Sequence, residues 1–465
     1  MNHRIIKRWV SLILTLMILA AAPVIIIADE PAVTDIYSSW SAFDIFMAET
    51  AYRLGNEGTY SNFRGGLTRQ KFAPVYDGLA EKFGIAVDFE PVQEQITRGD
   101  VVTALYGLIA GASALSDGGA AATYFVENKL MGGRASGDYE LDKICTVEEM
   151  IVFSVRVYEH LVYQAGEDSK GFFWDITGDT NHVYLLGSIH LSDGSMYPLS
   201  RAIENAFMKA DSLAVEVDVL GMGESDYAYL YEIGSIPFES GRTIKDFLSP
   251  ETYEMYVSVF ESFQVPQATY DFMKPWFATL ILQGIGTTSD PTEVQLGVDM
   301  YFLRKAYASQ KTIIELESSG FQYDLYNSLS PEVQERQLFE ALSSFISPSQ
   351  SEDEETGDAE TDHAMREAFS ILLEIVKNGD EDALAVVLGV DTETEDLLDI
   401  EFTTRFFTDR NQAMAEKIVA FLSDTGEDGA GSGDYFVVAG AGHMLGRNGI
   451  VSLLAGKGYT IERIK

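Results

Sequence analysis

The chain has 465 residues, of which 46% are hydrophobic and 12% aromatic. This composition can fill at least one large core and excludes wholesale disorder. Acidic residues number 72 against 32 basic ones, a formal net charge of −40. Such a surface repels phosphate backbones, so we expect no nucleic-acid partner. The one cysteine, Cys145, excludes an intrachain disulfide.

The first 28 residues carry a targeting pattern. Arg4, Lys7 and Arg8 precede an apolar run from Trp9 to Ala28. A basic start followed by such a run predicts a secretory signal peptide, or a single N-terminal membrane anchor of marginal length. The protein is therefore expected outside the cytoplasm, either secreted or associated with the cell surface.

Residues 29–170 are predicted to be mainly helical, in short patterns separated by glycine-rich turns. Thr68, Thr97 and Thr146 each stand where an apolar pattern of helical spacing begins, and threonine at that position can cap exposed backbone N–H groups. Glu149 follows Thr146 by three residues, which predicts a capping box. As an alternative to a functional module, residues 29–170 could form a helical spacer with ordinary caps.

The segments "LTRQKF", "ITRGDV" and "CTVEEM" resemble the Ile-Thr-Arg-Ala-Glu motif of S-layer homology modules. The motifs are degenerate, the spacing is uneven, and Val147 replaces the arginine in the third copy. The resemblance implies that residues 29–170 bind a cell-wall polymer, and that the protein comes from a Gram-positive bacterium.

From residue 171 to 465 the pattern changes to strands alternating with helices, which predicts a mixed-sheet α/β domain. "GFFWDITGDTNHVYLLGSIHLS" predicts a β-hairpin. Residues 212–219, "KTIIELES", "YFVVAGAGH" and "YTIERI" predict further strands. Helices are expected at 242–286, 297–308, 331–346, 364–392 and 398–423, and in "GIVSLLAGKG". Residues 348–363 are acidic and nearly free of apolar groups, which predicts a mobile insertion.

Two of the six histidines stand in matching surroundings. Gly187 precedes His190 by three residues, and Gly440 precedes His443 by three residues. Both motifs follow apolar strands, and strand ends facing a crevice are where α/β proteins gather ligands and catalytic groups. Two neutral imidazoles can bind one metal ion. Taken alone, the spacing is a weak signal, and it favours two ordinary loop histidines.

The two Gly-x-x-His motifs, one early and one near the C-terminus, resemble those of the TraB/PrgY/GumN/TIKI family. Further segments match in the family's order: "LAVEVD", "TIKDFLSPETYE", "KPWFATL", "LGVDMYFL", "ELES", "DRNQAMAEKI" and "VVAGAGHMLGRNGIVSLLAGKGYTIERI". The main departures are the acidic insertion and a glycine-rich loop before "YFVVAGAGH". The resemblance implies an export-associated metal-dependent hydrolase or peptidase.

The resemblance also implies site residues. His190 and His443 match the paired histidines, and Glu216 is expected as a third metal ligand or as the base that polarises a metal-activated water. Asp218 lies on the same face of the predicted strand as Glu216 and could contact a metal ligand without binding the metal itself. Glu317 and the pair Arg410–Asn411 match other family positions, and Arg410 could hold a carboxylate of the substrate or of Glu317. The alternative for these residues is structural pairing.

Other candidates are expected to play no chemical role. His182 is expected in a hairpin turn, His160 on an exposed helix face, His363 in the mobile insertion and Trp276 in the core. No nucleophile elbow, Walker loop or His-Glu-x-x-His motif is present.

The sequence therefore predicts an extracytoplasmic metal-dependent hydrolase that acts on peptides or on a protein N-terminus. Histidine and carboxylate ligands permit Mn, Co or Zn. The alternative is a non-enzymatic protein that binds peptides or pheromones and dampens signalling at the cell surface.

Overall fold

The computed structural model describes residues 36–85, 94–110, 118–132, 138–178, 181–286, 292–345, 357–423 and 433–465. These residues form two compact units. The N-terminal unit holds the described residues up to Ser169 together with Asp193–Ser200, and the C-terminal unit holds Lys170–Ser192 and Arg201–Lys465. The predicted signal segment, residues 1–28, lies outside the described residues. Within the described ranges, no helix combines the length and the apolar character needed to cross a bilayer.

The N-terminal unit is helical, as the sequence predicts. Its helices are α1 (Ala42–Glu49), α2 (Arg69–Lys82), α3 (Arg98–Ala110), α4 (Gly118–Glu127) and α5 (Val147–Ala165). Apolar side chains on their inner faces are fully buried, among them Phe72, Leu79, Val101, Leu105, Phe125 and Met150. This burial is the main source of stability for short helices, since intrinsic propensity alone is marginal.

The residues just before α2, α3 and α5 hydrogen-bond to one another in a closed cycle. Leu67 N–H donates to Cys145 O (2.7 Å), Cys145 N–H donates to Ile96 O (3.0 Å), and Ile96 N–H donates to Leu67 O (3.1 Å). The three threonine-started segments therefore meet at one point in equivalent roles.

The predicted caps are present at two of the three helix starts. Thr146 and Glu149 form the predicted capping box on α5. Thr97 and Asp100 exchange the same pair of bonds at the start of α3. The prediction is wrong for Thr68, which precedes α2 without a side-chain cap bond. The residue at N3 of this helix is Lys71, which cannot complete a capping box.

The C-terminal unit contains a six-stranded sheet, and the predicted mixed α/β fold is confirmed. Its strands are β1 (Phe172–Thr177), β2 (His182–Ser188), β3 (Ser212–Val215), β4 (Thr312–Glu315), β5 (Tyr435–Gly440) and β6 (Thr460–Ile464). The order across the sheet is β4-β3-β5-β2-β1-β6. Strands β4, β3, β5 and β2 run parallel, whereas β1 is antiparallel to β2 and β6. The hairpin of β1 and β2 is confirmed.

The helices of this unit connect and cover the strands. They are α6 (Arg201–Lys209), α7 (Glu224–Gly234), α8 (Pro250–Ser262), α9 (Gln267–Tyr270), α10 (Pro275–Gly286), α11 (Thr292–Gln295), α12 (Val298–Ser309), α13 (Ser319–Asn327), α14 (Pro331–Phe345), α15 (Gly357–Asn378), α16 (Glu381–Leu388), α17 (Leu397–Thr403), α18 (Asp409–Ser423) and α19 (Ile450–Gly456). Phe207, Phe302 and Phe436 pack together beneath the sheet.

Four local predictions need correction. The segment expected to be helical over 242–286 is divided into α8, α9 and α10, with non-helical breaks between them. The strand expected over 212–219 ends at Val215, because the following backbone forms turns in which Val219 N donates to Val217 O and Gly221 N donates to Asp218 O. The predicted helix 364–392 is two helices divided at Gly379, whose φ of +62° favours glycine. The insertion expected at 348–363 is helical from Gly357. Helix propagation adds a hydrogen bond for each residue once the packed part of α15 exists, which extends the helix into polar sequence.

Candidate functional site

The predicted site residues follow four neighbouring parallel strands at the edge where those strands end. Glu317 follows β4, Glu216 follows β3, His443 follows β5 and His190 follows β2. Register brings the two histidine motifs side by side, because Ser188 of β2 pairs with Gly440 of β5. The carboxyl ends of parallel strands are the usual place for ligand sites in α/β sheets.

Glycines permit the close approach of these segments. A Cβ atom on Gly187 would lie 3.1 Å from Ala441 Cα, and one on Gly297 would lie 2.2 Å from His190 O. The second distance is far below any real contact, so a side chain at Gly297 would push the start of α12 away from His190. The glycines of "LLGSIH" and "QLGVD" therefore position the first histidine.

Each histidine is held through Nδ1 by an oxygen acceptor. His190 Nδ1 lies 2.7 Å from Oδ2 of Asp299, in the first turn of α12, and His443 Nδ1 lies 2.6 Å from Oδ1 of Asn411, in the first turn of α18. An acceptor at Nδ1 places the proton there, so the lone pair of the neutral ring sits on Nε2. Histidines that bind metals in proteins are usually oriented by such a partner.

Asp299 was not singled out in the sequence, although it lies in the quoted segment "LGVDMYFL". Its other oxygen accepts a hydrogen bond from Ser188 (2.7 Å), so the carboxylate is fixed on both sides. It is the acidic residue of the first turn of α12 and stands two residues after Gly297. An acid two residues after a glycine, in the first turn of a helix, was the signal that could have identified it.

Arg410 joins Glu216 and Glu317 in a buried ion cluster. Its Nε and Nη2 donate to Oε1 (2.8 Å) and Oε2 (2.7 Å) of Glu317, and Nη2 also donates to Oε2 of Glu216 (2.7 Å). All three residues are at most 7% exposed. Of the two partners proposed for Arg410 from the sequence, the structure places Glu317 against it. Two carboxylates and one guanidinium leave the cluster with one net negative charge.

The pKa values of the site depend on burial and on this cluster. Burial alone would raise the pKa of Glu216, but Arg410, the two histidines and the N–H of Gly440 (2.7 Å from Oε1) lower it to about 2. Burial lowers the pKa of His443 to about 3, with Arg410 and His190 acting in the same direction and Glu216 opposing them. At neutral pH the site therefore holds an ionised Glu216 and a neutral His443.

A π-helical turn, Thr404–Thr408, connects α17 to α18 in the helix predicted over 398–423. Such turns are rare and occur often at functional sites. Phe407 within the turn packs on the ring of His443, with centroids 5.4 Å apart. Directly after the turn, Arg410 contacts the carboxylates while Asn411 contacts His443. The turn and the start of α18 thus bring three side chains, Phe407, Arg410 and Asn411, to one site.

The remaining candidates from the sequence lie elsewhere. Asp218 is partly exposed and accepts hydrogen bonds from Tyr307 (2.7 Å) and Gly221 (3.1 Å) rather than contacting Glu216. His182 begins β2 and pairs with Asp175. Trp276 is buried, as predicted. The prediction for His160 is wrong, since it is buried against Tyr124 (2.8 Å) in the helical packing of the N-terminal unit. The side chain of His363 lies outside the described residues.

The donor set fits a divalent metal ion in its chemistry. His443 Nε2 lies 3.8 Å from Glu216 Oε1, against the roughly 3.4 Å that separates two ligands of one tetrahedral ion with ligand distances near 2.1 Å. Throughout the residues that the structure describes, however, no group of three or more His, Cys, Asp or Glu side chains is already arranged to hold a metal ion. Binding an ion here would require the side chains to draw closer together.

Comparison with known proteins gives a family match over the C-terminal unit. Residues 172–463 match the sequence model of the TraB/PrgY/gumN family. The chain is also 25% identical over 149 residues to "Uncharacterized protein YbaP" of Escherichia coli (strain K12) and of Shigella flexneri. Each alignment covers 32% of this chain and 53% of the relative, so the chain spans about half the length of the curated relatives it matches. No solved structure matches this chain.

Proposed function

Since the chain belongs to the TraB/PrgY/gumN family, we propose that its C-terminal unit is a metal-dependent hydrolase that cleaves peptides or a protein N-terminus. The observation that carries this proposal is the matched orientation of His190 and His443. Both rings are held at Nδ1, so both would offer Nε2 to an ion at the carboxyl edge of the sheet.

In this proposal, His190, His443 and Glu216 would hold the ion, and the ion would supply a nucleophile at neutral pH by lowering the pKa of a water molecule. Glu216 suits the role of a ligand better than that of a base. A carboxylate with a pKa of about 2 is a weak proton acceptor at neutral pH. Its Oε1 retains a lone pair beside the bond from Gly440.

Arg410 and Glu317 act on Glu216 rather than on the substrate. Arg410 is 1% exposed and its guanidinium donates to both glutamates, so it keeps Glu216 ionised and fixes the direction of its carboxylate. Both are therefore positioning residues. Asp299 and Asn411 have the corresponding task for the two histidines.

The test is peptide cleavage. The protein is incubated with a peptide library, with Mn, Co or Zn and then with a chelator, and products are identified by mass spectrometry. We expect metal-dependent products from the wild type and none from His190→Gln or His443→Gln. The matched control is His182→Gln. It removes a histidine that pairs with Asp175 at the start of β2, and it should retain activity. Cleavage that survives the chelator and both substitutions would disprove the proposal.

The alternative is a protein that binds peptides or pheromones without cleaving them and so dampens signalling. It predicts that the same library is retained intact by the wild type, with or without metal. The two functions are thus separated by the appearance of products.

We also propose that the protein acts outside the cytoplasm, and that the N-terminal unit binds a cell-wall polymer. The equivalent hydrogen bonding of the three segments before α2, α3 and α5 supports a repeated module. Full-length protein should sediment with Gram-positive wall preparations and should remain soluble when the wall polymers have been extracted. Equal recovery in both supernatants would contradict this assignment.

A further inference from the structure

The two histidines of the proposed site are held by side chains of different charge. Nδ1 of His190 lies 2.7 Å from an oxygen of Asp299, which is a carboxylate, whereas Nδ1 of His443 lies 2.6 Å from the oxygen of Asn411, which is an amide. All four residues are at most 9% exposed, so water screens these contacts weakly. A hydrogen bond to a charged acceptor is stronger than one to a neutral acceptor. Equal orientation therefore does not make the two rings equal ligands.

The surroundings of Asp299 suit a negative charge. Its Oδ1 accepts a hydrogen bond from the hydroxyl of Ser188 across 2.7 Å, so both oxygens of the carboxylate accept. Asp299 also lies in the first turn of α12, where the helix dipole favours a negative group. Ser188 is fully buried, and its hydroxyl donates to the carboxylate rather than to an imidazole. It therefore fixes Asp299 and is not arranged as a nucleophile beside a base.

The surroundings of Asn411, by contrast, require a neutral amide. Its Nδ2 donates to Asn448 O across 2.8 Å. An aspartate there would set a carboxylate oxygen against that carbonyl oxygen, and two acceptors without a proton between them repel each other. An asparagine at position 299 would meet no such conflict. It could accept from His190 and donate to Ser188, because a hydroxyl both donates and accepts. Holding the ring of His190 thus does not by itself require a charge.

We propose that the negative charge of Asp299 makes His190 the stronger of the two histidine ligands, so that this ring retains a metal ion even without His443. The inference rests on the proposed function and specifies how its metal is held. A carboxylate at Nδ1 raises the basicity of the ring, and with it the affinity of Nε2 for a cation. The amide of Asn411 orients His443 without adding this charge.

Arg410 adds to the difference between the two rings. Its Nη2 lies 2.7 Å from Oε2 of Glu216, and Nε2 of His443 lies 3.8 Å from Oε1 of the same carboxylate. A guanidinium that shares a carboxylate with His443 opposes the approach of a second cation to that ring. Burial, and then the charge of Arg410, also lower the pKa of His443, in keeping with a ring that attracts cations weakly.

The experiment is titration calorimetry of full-length, metal-free protein with Mn, Co and Zn in turn, which needs no substrate. His443→Gln keeps the histidine that Asp299 holds. It should still bind one ion saturably at millimolar metal, about tenfold more tightly than His190→Gln does. Asp299→Asn should lower the affinity about tenfold, because it removes the charge and keeps both hydrogen bonds. Denaturant unfolding without metal should show Asp299→Asn folded, with a transition close to that of the wild type.

Glu148→Gln is the matched control. Glu148 is also a buried carboxylate, 5% exposed, and accepts from the hydroxyls of Ser38 (3.0 Å) and Ser41 (3.1 Å) within the N-terminal unit. The substitution removes a buried charge of the same kind by the same change from carboxylate to amide. It does so outside the unit that holds the two proposed ligands, so the metal affinity should stay unchanged.

Several results would overturn the inference. They are equal affinities of the two histidine variants, tighter binding by His190→Gln, no saturable binding by His443→Gln, unchanged affinity in Asp299→Asn, or equal losses in Asp299→Asn and Glu148→Gln. An Asp299→Asn protein that does not fold would contradict the two retained hydrogen bonds, and the two histidine variants would then decide the question.

Peptide cleavage, measured in parallel, separates this inference from the hydrolase. Unequal histidines in a protein that cleaves nothing would uphold the inference and disprove the hydrolase. Metal-dependent cleavage by a protein with equal histidines would do the reverse. A wild type that binds none of the three metals would overturn both.

Discussion

Oδ1 of Asn411 lies 2.6 Å from Nδ1 of His443, and this contact determines which nitrogen of the ring faces Glu216. The amide itself is fixed, because its Nδ2 donates to Asn448 O across 2.8 Å and so directs Oδ1 towards the histidine. Nδ1 therefore carries the proton, and Nε2, 3.8 Å from Glu216, keeps its lone pair. A side chain on a neighbouring helix thus sets the state of a proposed ligand.

Asn411→Ala should lower metal affinity by about 10- to 100-fold, the usual effect of removing a residue that orients a metal-binding histidine. The reason is that His443 would lose its preferred tautomer and ring direction. Titration calorimetry with Mn, Co and Zn measures this effect without any substrate.

A matched control is Asn181→Ala. Asn181 is also buried and its Nδ2 donates to a carbonyl, Phe421 O, across 2.9 Å, but its amide does not hold the ring of a proposed metal ligand. Both variants should lose about 1–3 kcal/mol of stability, but Asn181→Ala should keep its metal affinity. Equal metal affinity in the two variants would show that Asn411 does not orient a ligand.

The sequence predicts the strand ends but not the contacts made by neighbouring helices. Apolar strands followed by Gly-x-x-His are visible as a local pattern, and strand alternation predicts the sheet. The sequence cannot show that β2 and β5 are adjacent, with Ser188 opposite Gly440. That pairing arises from packing between segments about 250 residues apart, for which a local pattern holds no information.

The same limit explains the residues that the sequence did not identify. Asp299 lies on a helix whose spacing indicates only an inner and an outer face. Whether a polar residue on an inner face meets a histidine depends on the tertiary arrangement. The burial of Glu216 is not visible in the sequence for a related reason. The strand ends at Val215, so alternation no longer decides which way the following residues point.

Glu216→Gln should abolish activity in protein that remains folded, because it removes the negative charge of the proposed ligand while keeping its shape. Because Glu216 is 3% exposed, replacing it should change the free energy of unfolding more than a surface substitution would. Arg410 keeps Glu317 as its partner, and the loss should be about 1–3 kcal/mol rather than the larger effect of an unpaired buried charge. Denaturant unfolding and cleavage assays on the same samples measure both quantities. Full activity in a folded Glu216→Gln protein would remove this residue from the mechanism.

Thr146→Ala should destabilise the N-terminal unit by about 1 kcal/mol, the usual effect of removing a helix cap. Thr146 accepts from Glu149 N and completes a capping box. Thr68→Ala provides the comparison, because Thr68 occupies the same position at α2 without a side-chain cap bond. It should change stability by no more than about 0.5 kcal/mol. Equal losses in the two variants would show that capping does not account for the difference.

Metal-free protein should lose stability as the pH falls below about 6.5, because the pKa of His443 is about 3 in the folded state against an ordinary value of 6.5. Between these values the unfolded chain binds a proton that the folded chain does not, so acid favours unfolding. This contribution to stability is complete above pH 6.5 and is lost at about 1.4 kcal/mol per pH unit. Glu216, whose pKa falls from 4.5 to about 2, adds a loss of the same sign, but only below pH 4.5.

Denaturant unfolding of wild type and His443→Gln at pH 7 and pH 5 isolates the histidine, because Glu216 contributes little in that interval. The wild type should lose about 2 kcal/mol more than the variant does. His182→Gln, which removes a partly exposed histidine, should follow the wild type. A wild-type loss no greater than that of His443→Gln would mean that His443 is not held neutral by its surroundings. It would also remove the argument that this ring is ready to bind a metal ion at neutral pH.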